Sequence, residues 1–272
     1  MVPEAGQKKQ VMKSIYPDII CCPKCKHELQ YRKPGTASQH ESPVWKCSFC
    51  GECYPDLDGY IQFIHDEDVF RSSRREEFMR AVYARFYTPL TNMMFIPCGG
   101  VKKARHEVLS QLEMKPGDTV LETGIGTGDN IPYLNGYIVG CPFFGLDNQT
   151  IMLKNCLKNS HKWEQPVRLY RANAEELPFK DNSFDVVFHL GAINLFEDKK
   201  SAIDEMIRVA KPGIKIVIAD ESEKASKLFA IFVGKHDPVV PPIDLVPSGM
   251  QEITLKSIWN DYGYLITFRK PG

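Results

Sequence analysis

The sequence of 272 residues lacks several features that would narrow its function at once. It has no net charge, because 34 Lys and Arg balance 34 Asp and Glu, so no overall field draws in a polyanion. Its longest apolar run, 228–234, is far shorter than the roughly 20 residues that span a bilayer. The first 20 residues lack the apolar centre of a signal peptide. We therefore expect a cytoplasmic chain without a membrane span.

Cysteine, in contrast, is abundant and unevenly distributed. Six of the nine cysteines lie within residues 21–53, and such a local cluster in a reducing compartment favours metal binding over disulfides. Four of them form two C-x-x-C pairs separated by 21 residues: Cys22, Cys25, Cys47 and Cys50. Each two-residue spacer lets a tight turn point both thiolates at one ion, and two such turns complete a tetrahedral site. A closed four-thiolate site predicts a structural zinc.

The choice of zinc ligands stays open at this level. Cys21 could replace Cys22, Cys53 could replace Cys50, and His27 or His40 could also enter the site. A set of structural or redox thiols without metal is the alternative interpretation. The turn formers in 33–43 predict a long hairpin tip between the pairs, and 54–64 predicts a turn and a closing strand. The module resembles a zinc ribbon over residues 15–65.

A helical segment follows the predicted ribbon. Phe78, Val82 and Phe86 recur at four-residue steps and give a wide apolar face, which the Thr88-Pro89 pair ends. This helix either packs on the sheet or forms a lid whose aromatic end at Tyr87 covers a ligand. We therefore divide the chain into a zinc-ribbon domain, 1–65, and a second domain, 66–272, whose residues 66–105 form a helical lid or linker.

Apolar strands alternate with helices through the rest of the chain. The predicted strands are 119–123, 142–147, 167–173, 183–190 and 214–220, and residues 251–269 predict a closing hairpin. Such alternation specifies a parallel sheet covered on both faces. The expected fold class is α/β, with a doubly wound, mostly parallel seven-stranded Rossmann-like sheet and an antiparallel C-terminal hairpin, besides the small ribbon.

A glycine-rich turn follows the first of these strands. It reads "LETGIGTGDN" and carries Gly124, Gly126 and Gly128. A phosphate-binding P-loop would need a lysine after the last glycine, and a dinucleotide turn would need its third glycine one residue later. The spacing instead suits a smaller nucleoside ligand. Asp147 ends the second strand, 19 residues after Gly128, where a carboxylate can accept both ribose hydroxyls.

Four segments in order carry a family resemblance: "KPGDTVLETGIGTGDN", "FGLDNQ", "YRANAEELPFKDNSFDVVFHLGAINLFED" and "EMIRVAKPGIKIVIAD". From about residue 75 to 270 the chain resembles class I methyltransferases that use S-adenosylmethionine, nearest to the quinone and small-molecule group. Zinc ribbons occur beside or fused to such enzymes. The resemblance implies in-line transfer of a methyl group from the sulfonium of S-adenosylmethionine.

The resemblance also implies the cofactor-binding residues. Glu122 and the glycines would lie along the methionine part, Asp147 would hold the ribose, and Asn148 would lie beside the adenine edge. The full predicted set is Tyr87, Glu122, Gly124, Gly126, Gly128, Asn130, Asp147, Asn148, Asn173, Ala174 and His189. Asn173 and the Ala174 backbone would read the adenine amine and ring nitrogen.

His189 is the candidate catalytic residue, because it would sit near the sulfonium; a cofactor-lining histidine without a proton role is the alternative. Where relatives often carry a His pair after the fourth strand, this chain has Asn194-Leu195, so analogy supplies no base there. The segments 70–100 and 227–249 are apolar and aromatic and would wall the acceptor pocket. They favour a small, partly hydrophobic acceptor.

An RNA-base methyltransferase whose ribbon grips RNA is the competing hypothesis. Residues 1–65 hold eight Lys and Arg against seven Asp and Glu, a poor balance for phosphate binding. The sequence leaves the oligomeric state undetermined. Because every predicted cofactor ligand except Tyr87 lies beyond residue 120, we expect removal of 1–65 to leave cofactor affinity nearly unchanged.

Overall fold

The computed structural model describes residues 19–33, 42–65, 93, 95–134, 141–163, 165–233 and 238–272, with the backbone alone for 229–233. The aromatic segment 78–87 with Tyr87, most of the hairpin tip and His40 lie outside these residues.

The described residues form one mixed sheet of eleven strands between helices. The strands are β1 (Leu29–Arg32), β2 (Val44–Cys47), β3 (Cys53–Leu57), β4 (Tyr60–Gln62), β5 (Val120–Thr123), β6 (Phe143–Asp147), β7 (Val167–Arg171), β8 (Val186–Leu190), β9 (Lys215–Glu221), β10 (Gln251–Ile258) and β11 (Gly263–Arg269). The α-helices are α1 (Val101–Leu109), α2 (Thr150–Lys162), α3 (Lys199–Val209) and α4 (Glu223–Val233). Short 3-10 helices cover Ile96–Cys98, Ile131–Tyr133, Ile193–Leu195, Pro242–Leu245 and Trp259–Asp261. Within this part of the chain no helix is both long and apolar enough to cross a bilayer.

The strand order is β1-β2-β3-β4-β7-β6-β5-β8-β9-β11-β10. Strands β4, β7, β6, β5, β8 and β9 pair in parallel, and β10 and β11 form an antiparallel hairpin beside β9. The predicted mixed α/β sheet with parallel strands is therefore confirmed. The predicted count of seven is not confirmed, because the four ribbon strands join the seven strands β5 to β11 in one sheet.

The central strands are buried on both faces. Every residue of β5 and β8 is buried, as expected for parallel strands that helices cover on each side. Val186 and Phe188 belong to one hydrophobic core and Val187 belongs to the other, because successive side chains of a strand point to opposite faces. The strand order reverses around β5, which places a ligand crevice at the carboxyl ends of β5 and its neighbours.

Candidate active site and cysteine cluster

The glycine turn begins directly after β5. Gly124, Gly126 and Gly128 all have left-handed φ, at 67°, 56° and 77°. A Cβ on Gly128 would approach Cys156 Sγ to 2.8 Å, so packing against α2 excludes a side chain there. Among the residues that the structure describes, a Cβ on Gly126 would meet no heavy atom within 4 Å. At Gly126, unlike Gly128, no neighbouring side chain of the described residues excludes a Cβ. The glycine there instead leaves a space open beside the turn.

Asp147 lies beside this open space. Its Oδ2 accepts a hydrogen bond from the Gly126 N–H at 3.0 Å, and its Oδ1 accepts one from the Gln149 N–H at 2.8 Å. Burial raises the pKa of Asp147 to about 6, although these two hydrogen bonds favour the ionised form. The end of β6 thus presents a carboxylate beside the glycine turn, in the arrangement that ribose recognition requires.

Glu122 precedes the turn and is fully buried. The Asn130 amide donates to its Oε1, and Arg105 from α1 donates in turn to the Asn130 side-chain oxygen. Burial raises the pKa of Glu122 to about 8, against the opposing effects of Asn130 and Arg105. Its Oε2 has no hydrogen-bond partner among the described residues. The sequence did not indicate a role for Arg105, because it lies on α1, outside the glycine-turn motif.

The residues predicted for the adenine follow β6 and β7. Asn148 is exposed, Asn173 is half-buried and Ala174 is buried. The Ala172 N–H donates to the Asp147 carbonyl at 3.3 Å, which joins the two strand ends. The structure therefore brings four predicted residues together at the carboxyl ends of β6 and β7: Asp147, Asn148, Asn173 and Ala174.

His189 is fully buried, and neither ring nitrogen is free. Its Nδ1–H donates to the Thr123 carbonyl at 2.8 Å, and its Nε2 accepts from the Ala192 N–H at 2.8 Å. Burial lowers the pKa of His189 to about 4, so the neutral ring persists at pH 7. These contacts favour a role in positioning the residues after β8 over the predicted role in proton transfer.

The residues after β8 are held by a carboxylate that the sequence did not reveal. Asp220, at the end of β9, accepts from the Asn194 N–H at 2.8 Å through Oδ2 and from the Glu221 N–H at 2.7 Å through Oδ1. The Asn194 amide donates to the Glu221 carbonyl at 2.9 Å, and the Tyr264 hydroxyl donates to Asn194 Oδ1 at 2.8 Å. Burial raises the pKa of Asp220 to about 7. These bonds fix the loop while Leu195 remains 83% exposed.

The four predicted thiols come together at the other end of the chain. The Sγ atoms of Cys22, Cys25, Cys47 and Cys50 all lie within 4.8 Å of one another. Two of the separations are 3.7 Å, Cys22 to Cys50, and 3.4 Å, Cys25 to Cys47. Zinc–sulfur bonds of about 2.3 Å in a tetrahedron require sulfurs about 3.8 Å apart, so this donor set fits a zinc ion.

Of the alternative ligands, the three that the structure describes, Cys21, Cys53 and His27, do not join this cluster. Cys53 directs its Sγ to the Gly51 carbonyl at 3.5 Å, and His27 directs Nδ1 to the Cys25 carbonyl at 2.8 Å. Cys21 is buried, and burial raises the pKa of its thiol to about 11. The Tyr54 hydroxyl lies 3.1 Å from Cys22 Sγ and can donate to a thiolate there.

Comparison with known proteins is consistent with this geometry. Residues 121–218 match the family model described as a methyltransferase domain; the matched range does not include the cysteine cluster. The chain is 37% identical over 127 residues to a demethylmenaquinone methyltransferase of Renibacterium salmoninarum, covering 46% of this chain and 50% of that protein. It is 28% identical over 156 residues to the demethylmenaquinone methyltransferase of Oceanobacillus iheyensis, covering 56% and 66%.

A solved structure from Methanococcus maripaludis, assigned to the S-adenosyl-L-methionine-dependent methyltransferases, shares the fold. Its TM-score is 0.56 at 17% identity, over 71% of this chain and 94% of that one. The chain spans about half the length of several curated relatives it matches. The family match and the relatives together indicate a methyltransferase domain over residues 121–218.

Proposed function

We propose that the protein transfers a methyl group from S-adenosylmethionine to a small, partly hydrophobic, quinone-like acceptor. The observation that carries this proposal is the open space at Gly126 beside the Asp147 carboxylate, at the carboxyl ends of β5 and β6. The relatives named demethylmenaquinone methyltransferases support the choice of acceptor class. Their names do not favour the RNA-base alternative.

The residues of the site fit the cofactor. Asp147 would accept the ribose hydroxyls, and the Gly126 position leaves room for the nucleoside. Glu122 Oε2 is a buried polar atom that lacks a partner among the described residues, and it would meet the methionine part. When bound, the cofactor supplies an electrophilic methyl group on a sulfonium that leaves as a neutral thioether.

The chain's own contribution is to hold the reacting groups in line. His189 lies under the glycine turn, since a Cβ on Gly124 would approach its Cε1 to 3.1 Å and the Ala192 Cβ to 3.5 Å. The loop after β8 would therefore lie beside the methionine end of the site. Correct orientation alone can lower the barrier by up to about 7–11 kcal/mol, so this transfer does not demand that His189 move a proton.

Leu195 would give the acceptor side an apolar contact. It stands 83% exposed on a loop that Asp220 and Asn194 fix to β9. An exposed leucine on a loop that partly buried hydrogen bonds hold in place would offer a rigid apolar contact for a ring system. We infer that the acceptor packs against Leu195.

The zinc proposal rests on the cysteine cluster. Cys22, Cys25, Cys47 and Cys50 would hold one ion with no open coordination position, so the ion would be structural. Because the ribbon is too small to bury a full core of its own, metal binding would contribute to its folding.

The proposed function is tested with purified protein, S-adenosylmethionine labelled on the methyl group, and a short-chain demethylmenaquinone in its reduced form. We expect labelled, methylated quinol and equimolar S-adenosylhomocysteine, detected by mass spectrometry. Asp147→Ala should abolish both products at low cofactor concentration. Leu195→Asp should raise the KM for the quinol while the dissociation constant of S-adenosylhomocysteine stays unchanged. Cofactor binding without turnover on any quinol or phenol would overturn the acceptor class.

A further inference from the structure

The ribbon contacts the cofactor site through a segment of residues 171–180, here called the adenine segment. It runs from the end of β7 through Asn173 and Ala174, the residues predicted to read the adenine. Ribbon residues touch this segment at both of its ends. These contacts do not fit the expectation that removal of 1–65 leaves cofactor affinity unchanged.

The closing strand of the ribbon holds the first end. Strand β4 pairs in parallel with β7, with Gln62 opposite Arg171, and the Phe63 N–H donates to the Arg171 carbonyl at 2.8 Å. The Gln62 side-chain oxygen accepts from the Arg171 guanidinium at 3.3 Å. Arg171 Nε donates to the Asn148 carbonyl at 3.2 Å, directly after Asp147. The Arg171 side chain thus connects the ribbon to Asn148, the residue that follows the proposed ribose-binding Asp147.

Residues that flank the first cysteine pair hold the other end. The Cys21 N–H donates to the Pro178 carbonyl at 3.0 Å, and the Lys180 N–H donates to the Ile19 carbonyl at 2.8 Å. Lys26 Nζ donates to the Leu177 carbonyl at 3.2 Å.

Lys26 owes its position to the turn between the cysteines. It follows Cys25 directly, has a left-handed φ of 60°, and donates its N–H to the Cys22 carbonyl at 2.8 Å. Its ammonium also lies 3.0 Å from Glu205 Oε2, which accepts the Leu177 N–H at 2.7 Å. Both backbone groups of Leu177 are therefore bound in a network that includes Lys26.

We propose that the zinc-bound cysteine turn positions the adenine segment, with Lys26 and Arg171 as positioning residues, so that zinc occupancy and cofactor affinity are coupled. This inference rests on the proposed function, since it needs both the ion and the cofactor. The ion fixes the turn, the turn fixes Lys26, and Lys26 with the Cys21 backbone holds residues 177–178. Loss of the ion weakens the Lys26 and Cys21 contacts to residues 177–178, where Arg208 still donates to the Leu177 carbonyl at 3.1 Å and to the Phe179 carbonyl at 2.7 Å. The adenine segment then gains mobility, and ordering it opposes cofactor binding.

Coupling between two ligands is reciprocal at equilibrium. If zinc raises the affinity for S-adenosylhomocysteine, then S-adenosylhomocysteine must raise the affinity for zinc by the same factor. Couplings between sites are typically 5- to 150-fold, and we expect roughly tenfold here.

The test uses the full chain and two readouts that do not depend on turnover. Calorimetry with S-adenosylhomocysteine on zinc-loaded protein gives the reference dissociation constant. Lys26→Ala, with its zinc content verified, should weaken binding several-fold, and Lys26→Arg should restore most of it. The matched control is Lys24→Ala, because Lys24 lies in the same turn but pairs with Glu52 at 2.6 Å inside the ribbon.

The second readout is the transfer of zinc from wild-type protein to a chromogenic chelator. Saturating S-adenosylhomocysteine should lower the equilibrium fraction of zinc released, which needs no variant and no unfolded sample. Unchanged zinc release together with wild-type affinity in Lys26→Ala would overturn the coupling while the proposed function stands. Failure of zinc-loaded wild-type protein to bind S-adenosylhomocysteine would instead overturn the proposed function itself.

Discussion

At the scale of single residues, Asp147 makes cofactor binding depend on pH. Its pKa is raised to about 6 by burial, and only the ionised carboxylate can accept both ribose hydroxyls. As pH falls below 6, the protonated fraction grows, so the dissociation constant of S-adenosylhomocysteine should rise about tenfold per pH unit, while the contribution of Asp147 levels off above pH 7. Calorimetry between pH 5 and 8 measures this dependence.

The control for this prediction is Asp147→Asn, which cannot titrate. The variant should bind weakly and show no dependence of affinity on pH between 5 and 7. Circular dichroism at each pH shows whether the protein remains folded. If the folded wild-type protein binds S-adenosylhomocysteine equally well at pH 5 and pH 7, then Asp147 does not recognise the ribose.

Two glycines of the turn should respond differently to alanine. Gly128→Ala adds a Cβ at 2.8 Å from Cys156 Sγ at a left-handed φ, so strain and overpacking together should cost about 3 kcal/mol of unfolding free energy. Gly126→Ala meets no atom of the described part of the chain within 4 Å and should cost only the backbone strain of about 1–2 kcal/mol. Its methyl group should instead weaken cofactor binding, because it projects into the open space.

Urea unfolding and calorimetry on both variants separate these effects. A Gly126→Ala variant with wild-type affinity would show that the open space is not the nucleoside site. A Gly128→Ala variant as stable as Gly126→Ala would show that the contact with Cys156 relaxes freely.

The motif residues were predictable from the sequence, but the residues that hold the site in place by hydrogen bonds were not. The glycines, Asp147 and the cysteine pairs have spacings that local geometry explains. Arg105 and Asp220 have no such spacing, because their partners Asn130 and Asn194 are brought to them only by folding. The burial that ties up both nitrogens of His189 also had no sequence signal.

At the scale of elements, the positions of the cysteines in the two turns predict which thiols bind zinc and which do not. Cys25→Ser should lose the zinc, because one of the four sulfurs within 4.8 Å is removed. Cys53→Ser is the matched control, since Cys53 is exposed and bonds only weakly to the Gly51 carbonyl at 3.5 Å. Metal analysis should find about one equivalent in the wild type and in Cys53→Ser. Zinc retained in Cys25→Ser would require a different ligand set.

Sequence patterns located the strands but did not predict how the ribbon pairs with the rest of the sheet. Strands β5, β6, β8 and β9 follow continuous buried runs, which sequence patterns reveal. Strand β4 has only three residues, Tyr60–Gln62, and its parallel partner β7 lies more than 100 residues away. No local pattern encodes such a pairing, so the ribbon was expected as a separate module.

At the scale of the whole molecule, the ribbon and the rest of the sheet share one of the two hydrophobic cores. Ribbon residues Tyr54 and Phe63 belong to the same buried cluster as Tyr170 and Phe179 of the sheet side. The rings form a continuous series, with centroids 4.8 Å apart from Tyr54 to Phe63 and 6.1 Å apart from Phe63 to Tyr170. The predicted domain boundary at residue 65 therefore divides the sequence between two parts whose side chains pack together.

This shared core predicts that the ribbon and the sheet unfold together. Calorimetry of the zinc-loaded chain should show a single transition, and a strong chelator should move that whole transition to lower temperature. A loss of about 3 kcal/mol would lower the Tm by roughly 6–12 °C for a chain of this size class. Cys53→Ser should behave as the wild type in both conditions, because it keeps the zinc ligands. Two separate transitions, with only the smaller one sensitive to the chelator, would show that the ribbon is an independent module despite the shared core, since each unit would then melt by itself.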